Sequence, residues 1–192
     1  MIWSRKGRVP KMKALDAKAR KIRMLLLDVD GVMTDGGILL GSDSIELKKF
    51  HAHDGIGITL ARAAGILIGI LTGRDSEAVR RRAKELEIDV IQQGTIDKEK
   101  GYEAILKKYG LKDEEIAYVG DDLLDIPILR RVGLSICVAN GVEEAKKVSH
   151  YVTKKKGGDG AVREAVEKIL TGKGKKQEAI LSLLSWAKER GG

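Results

Sequence analysis

The sequence predicts an α/β fold, a three-layer Rossmann-like sandwich on a mostly parallel sheet. Apolar runs of strand length alternate with charged segments of helix length, the pattern of βαβ units. Several of those runs stop abruptly at polar residues. Strands do this where an open sheet presents its ligand crevice. Right-handed crossovers would then place helices on both faces.

Each element follows from local signals. Arg23 to Val29 reads as a buried strand, too short for a helix. Ile38-Leu39-Leu40 and Ile45 to Phe50 flank a Gly/Ser/Asp turn and read as a β-hairpin. Asp54 is placed to cap a helix running to about Ala64, with Gly65 ending it. Ile66 to Leu71 is the next strand. It stops at Thr72-Gly73-Arg74, and Asp75-Ser76 open a charged helix to about Leu86. Asp89 to Gln92 is a short strand, and Lys98 to Tyr109 is a helix closed by Gly110. Ile116 to Val119 runs into Gly120-Asp121-Asp122, and Leu134 to Val138 is a further strand. Glu143 to Val148 and Asp159 to Leu170 are helical by pattern. Residues 171–176 read as a flexible break. Ile180, Leu183, Leu184 and Ala187 then fall at helical spacing.

Composition sets outer bounds. The 192 residues suffice for one domain with a real core. Aromatic residues make up only 4%, which argues against base-stacking platforms and a nucleic-acid partner. No apolar stretch is long enough to span a membrane. The start lacks the apolar core of a signal peptide, so the expected compartment is the cytoplasm. Cys137 is the only cysteine and lies in an apolar run, as a structural thiol would. Nine Lys/Arg fall within residues 1–23 with Asp16 as the one acid, which accounts for the whole net charge of +8. The expected organisation is a basic arm over 1–22, a globular domain over 23–170, and a break with an amphipathic helix over 171–192.

The polar strand ends carry the chemistry. Asp28 and Asp30 follow the run Met24 to Leu27. Two carboxylates ending a buried strand are costly unless something binds them. One can attack phosphorus, another can move a proton, and together they attract a hard cation. Thr72, Lys98 and the set Asp121, Asp122 and Asp125 close three further segments. Alone, each has an ordinary explanation as cap, turn or solvated charge. Their order along one sheet edge is the signal. His51 and His53 flank Ala52 and would share one side of a strand, but no third soft ligand for zinc is evident. His150 reads as structural.

These residues resemble the four motifs of the haloacid dehalogenase superfamily: Asp28-Val29-Asp30-Gly31, Thr72, Lys98, and Gly120-Asp121-Asp122 with Asp125. The resemblance implies that Asp28 forms an aspartyl-phosphate and that Asp30 is the acid and base. It implies Mg²⁺ held by Asp28, the Asp30 backbone carbonyl and Asp121. Thr72 and Lys98 would bind phosphoryl oxygens, with Gly31 and Gly73 allowing close approach. Asp122 and Asp125 would orient Lys98 or metal-bound water.

Spacing narrows the choice within the superfamily. Asp28 to Thr72 spans 44 residues and Lys98 to Asp121 spans 23, and both gaps are already filled by expected elements. No separate cap domain fits. The stretches Phe50 to Ile58 and Gly157 to Glu164 resemble a capless group of tetrameric phosphatases acting on phosphorylated sugar acids. The likeness implies a keto sugar acid phosphate from lipopolysaccharide synthesis as substrate, with nine-carbon sialic-type acids or a non-catalytic oligomerisation role as alternatives on the same scaffold. Assembly as a homotetramer through residues 36–50 would bury the apolar hairpin. Arg74 and Arg163 are candidates to grip the substrate's carboxylate. His53 stands where many members of the group have Arg.

Overall fold

The computed structural model describes residues 11–42 and 45–190, so residues 1–10 of the basic arm and two hairpin-turn residues lie outside the described set. Six strands form one parallel sheet: β1 (Met24–Leu27), β4 (Leu67–Leu71), β5 (Val90–Gln92), β6 (Ile116–Gly120), β7 (Leu134–Cys137) and β8 (Tyr151–Val152). Their order is β5-β4-β1-β6-β7-β8, and every pairing is parallel. β2 (Leu39–Leu40) and β3 (Glu46–Leu47) form a separate antiparallel ribbon.

Alternation on β1 builds a core on both faces. Leu25 and Leu27 join one apolar cluster with Ile58, Ile68, Ile70, Val162 and Val166. Met24 and Leu26 join the other with Leu71, Tyr102, Ile105, Tyr118 and Ile128. A strand covered on both faces must be apolar throughout, as this one is. The first cluster is roofed by α1 (Lys11–Lys21), α2 (Ala52–Ala63), α3 (Glu77–Glu85) and α7 (Ala161–Lys173). The second lies under α4 (Lys98–Tyr109), α5 (Ile126–Arg131) and α6 (Glu143–Val148). The chain builds outward from β1 through β4 and β5, then crosses to β6 on the other side. That reversal opens a crevice past the carboxyl ends of β1 and β6.

Several expectations are corrected. The second half of the basic arm is α1, whose Leu15 and Ala19 are buried and which packs along α7. Two of its cations have partners: Lys18 Nζ donates to the Gly133 carbonyl at 3.0 Å, and Lys21 pairs with Glu114 at 2.8 Å. Helix α7 continues through Thr171-Gly172-Lys173, so the break expected over 171–176 shrinks to Gly174 and Lys175 before α8 (Lys176–Arg190). Helix α2 begins at Ala52 with His51 as N-cap residue. Asp54 therefore sits in the first turn instead of capping it, and its carboxylate accepts the Arg163 amide at 2.8 Å. His51 and His53 thus begin a helix and do not lie on a strand. The short α5 had no clear sequence signal. Among the described residues, no helix is long and apolar enough to cross a membrane.

If α1 belongs to the folded unit, Ala19→Asp puts an unpaired carboxylate into the α1–α7 seam. The cost should be at least about 2 kcal/mol. Thermal denaturation should then show Tm lower by roughly 4 °C or more. A frayed arm would leave Tm unchanged.

Candidate active site

The crevice brings Asp28, Lys98, Asp121 and Asp125 together. Asp28 directly follows β1, and its amide donates to the Val119 carbonyl of β6 at 3.0 Å. Lys98 opens α4, whose N-cap residue Asp97 accepts the Lys100 amide. The Lys98 ammonium lies 3.0 Å from Asp28 Oδ2 and 2.5 Å from Asp125 Oδ1. Asp125 is fully buried. Its Oδ1 also accepts the Tyr118 hydroxyl at 2.5 Å, and its Oδ2 accepts the Asp121 and Asp122 amides at 2.8 and 3.1 Å. Asp122 itself caps the turn that follows, accepting the Leu123 amide. Thr72 is buried at the end of β4, where Leu27 pairs with Ile70, and so stands one strand from Asp28 at the same edge.

Asp121 directly follows β6, with Oδ1 buried and without a hydrogen-bond partner. Carboxylate oxygens of Asp28, Asp121 and Asp125 lie within 4.8 Å of one another. Since Asp125 is already saturated, Asp28 and Asp121 are the two with lone pairs to offer. An all-oxygen donor set in a buried space suits a hard divalent cation such as Mg²⁺. Gly31 makes the approach possible: its φ is +85°, and a Cβ there would fall 2.0 Å from Asp121 Oδ2. Gly157 presses on the same loop, where a Cβ would meet the Gly31 carbonyl oxygen at 1.6 Å.

Electrostatics agree with an incomplete charge balance. Burial pushes Asp28 up to about 6, with Asp125 adding to the rise and Lys98 opposing it. Burial, then the charges of Asp28 and Asp125, push Asp121 up to about 8. Burial works against the charged form of Lys98, but Asp28 and Asp125 outweigh it and hold the ammonium protonated above its usual range.

Asp30 stands apart from the convergent carboxylates. Its Oδ1 pairs with Lys48, and its Oδ2 lies 3.6 Å from Arg74 Nε. Arg74 also reaches Glu46 at 3.2 Å. Arg163 pairs with Glu167 at 2.6 Å and lines a separate cavity with His51, His53 and Lys155. The rings of His51 and His53 meet edge-on at 5.1 Å, and among the described residues the acids at the sheet edge form the group able to hold an ion. His150 is structural, its Nδ1 bonded to Ser135 at 2.7 Å. Cys137 is buried, its thiol pushed up to about 12 by burial. Sequence reasoning missed Tyr118, Glu46 and Lys48. The first reads as one more apolar strand residue, and the others as surface charge.

Known proteins are similar to this chain in sequence and fold. Residues 88–165 match the haloacid dehalogenase-like hydrolase family. The chain is 43% identical over 163 residues to KdsC of Escherichia coli (strain K12), a 3-deoxy-D-manno-octulosonate 8-phosphate phosphatase, covering 85% of this chain and 87% of that protein. A crystal structure of the phosphatase of that name from Moraxella catarrhalis, in complex with a magnesium ion, a phosphate ion and a KDO molecule, superposes with a TM-score of 0.87 at 41% identity, over 90% of this chain and 99% of that one. The cobalt-bound YrbI phosphatase from Haemophilus influenzae gives 0.81 at 35%, over 85% and 99%.

The raised acids set a pH dependence. Asp28 and Asp121 hold protons in the fold at pH values where the unfolded chain, with carboxyls near 3.8, has lost them. Their stabilisation is complete below about pH 4 and is lost as pH rises through 6 and 8. In EDTA, Tm should therefore fall between pH 5 and 8.5. Mg²⁺ should raise Tm more at pH 8.5 than at pH 5, because it replaces the lost protons. A Mg²⁺ effect independent of pH would contradict the assigned site.

Proposed function

Since the chain belongs to the haloacid dehalogenase-like hydrolases and is a phosphoric monoester hydrolase, we propose that it cleaves 3-deoxy-D-manno-octulosonate 8-phosphate. The products would be the free keto sugar acid and phosphate, in lipopolysaccharide synthesis. The observation that carries this reading is the convergence of Asp28, Asp121 and Asp125, the first and last of them buried, around Lys98 at the edge of a sheet whose fold relatives of that name share.

Asp28 is the nucleophile. Its carboxylate attacks phosphorus, the bond from phosphorus to the sugar oxygen breaks, and an aspartyl-phosphate forms. Asp30 gives its proton to the leaving oxygen, then takes one from the water that attacks the same phosphorus and frees Asp28. Lys98 and the Thr72 hydroxyl hold phosphoryl oxygens, and Gly31 and Gly73 leave room for backbone amides beside them. Asp28, Asp121 and the Asp30 carbonyl would hold Mg²⁺, which when bound would supply the positive charge that an anionic nucleophile needs near an anionic phosphate. Arg74, beside Asp30, is positioned to meet the sugar's carboxylate through two parallel hydrogen bonds. Arg163 keeps a role in substrate binding only through a neighbouring subunit, given its pairing with Glu167.

The hairpin supports a homotetramer. Ile38, Leu39, Leu40, Ile45 and Leu47 are between 50% and 75% exposed. A two-stranded ribbon cannot cover such a face alone. Copies packed hairpin to hairpin would cover it and partly close a site that has no cap.

A phosphate-release panel of phosphosugars, with eight- and nine-carbon keto acids, tests the reading. Turnover should require Mg²⁺, stop in EDTA and favour the eight-carbon 8-phosphate. Asp28→Asn should lose at least ~10³-fold in kcat while remaining folded. Wild-type protein should sediment as a tetramer. Preference for a nine-carbon acid would move the assignment to sialic-type substrates, and an active Asp28→Asn enzyme would overturn the nucleophile.

A further inference from the structure

The hairpin is turned inside out. From Ile45 to Phe50 exposure alternates, with Ile45, Leu47 and Lys49 facing outward and Glu46, Lys48 and Phe50 facing inward. Period-two geometry sorts the faces, but the apolar pair is outside and the charged pair inside. Lys48 is the extreme case. Its side chain is 1% exposed, whereas lysine is rarely buried so fully without a purpose-built partner.

That partner is Asp30. The Lys48 ammonium bonds Asp30 Oδ1 and lies 3.4 Å from Glu46 Oε1. Burying an ammonium costs several kcal/mol unless its partners are well placed, and an apolar residue often serves a fold at least as well. A ribbon of two-residue strands has little stability to spare for such a cost. The ion pair also ends on a partly exposed carboxylate two residues past Asp28, beside the reacting groups and not in the core.

We propose that Lys48 is a positioning residue for Asp30, a role that rests on reading Asp30 as the acid and base. The ammonium pins Oδ1, so that Oδ2 is the oxygen presented first to the leaving group and then to water. Arg74 is half exposed and can turn from Oδ2 toward a substrate carboxylate. Lys48 is enclosed and stays. The consequence is that an element suited to assembly also sets the geometry of proton transfer.

A double-mutant cycle tests this. Wild type, Lys48→Met, Asp30→Asn and the double variant are compared for kcat and KM on an alkyl phosphosugar with Mg²⁺. Circular dichroism and sedimentation establish that each is folded and assembled. Lys48→Met should lower kcat about 10²-fold, in the range of lost acid–base catalysis, with KM within about threefold of wild type. The double variant should match Asp30→Asn within about twofold, because a residue acting through Asp30 has nothing left to act on. Lys48→Arg, which keeps the charge, should retain most of the wild-type kcat, and Lys48→Gln, which removes the charge, replaces Lys48→Met in the cycle if the latter does not fold. Full kcat in Lys48→Met, or an equal loss in both backgrounds, would overturn the proposal. A wild-type protein inactive on every phosphomonoester would instead overturn the functional reading beneath it.

Discussion

Lys98 is buried among three carboxylates, and the architecture of the site follows from that imbalance. One ammonium faces Asp28, Asp121 and Asp125, which leaves two negative charges uncompensated when all three acids are ionised. Like charges held this close either take up protons or recruit a cation. The raised acids show the first response, and a divalent ion is the second. The scaffold maintains the crowding against its own electrostatic cost. Parallel register sets the ends of β1 and β6 side by side. Tyr118 braces Asp125 from the strand itself, and two backbone amides fix the other oxygen. Gly31 has no Cβ where Asp121 must pass.

The imbalance also separates two jobs among the acids. Asp28 and Asp121 keep open lone pairs, while Asp125 is used up in holding Lys98. Asp30 lies outside this group and answers to a different set of cations, Lys48 and Arg74. Two carboxylates two residues apart thus occupy unlike surroundings, as the proposed division between nucleophile and proton carrier requires. The hairpin supplies half of that difference. Its inward charges meet at Asp30, and its outward leucines and isoleucines are exposed.

Much of this was legible in the sequence because strand ends announce themselves. Asp28, Thr72, Lys98 and Asp121 each interrupt an apolar run or open a helix at a recognisable junction, and the sheet gathers them at one edge. What stayed hidden depends on contacts distant in the chain. Tyr118 is indistinguishable from a core residue until Asp125 lies beneath its hydroxyl. Lys48 and Glu46 look like ribbon surface until the hairpin folds back over Asp30, 18 residues earlier for Lys48. Helix α1 was masked by its own lysines. Among the described residues around it, Leu15, Ala19 and Ile22 reach the core, and three of the cations that suggested a solvated arm, Lys21, Arg23 and Lys18, are tied to Glu114, Glu115 and the Gly133 carbonyl. Helix α7 continues through Gly172 against its low propensity, because α1 packs so close there that a Cβ would fall 2.6 Å from Ala19 Cβ.

The central claim is that protons and a divalent cation compete for the same buried carboxylates. Calorimetric titration of Mg²⁺ into metal-free protein, repeated in buffers of different ionisation enthalpy, counts the protons displaced on binding. With Asp121 near 8, the account predicts one ion per chain and close to one proton released at pH 7, on the order of a tenth by pH 9. The release should disappear in Asp121→Asn. Binding of Mg²⁺ at pH 7 with no proton release, or a release unchanged in that variant, would contradict it.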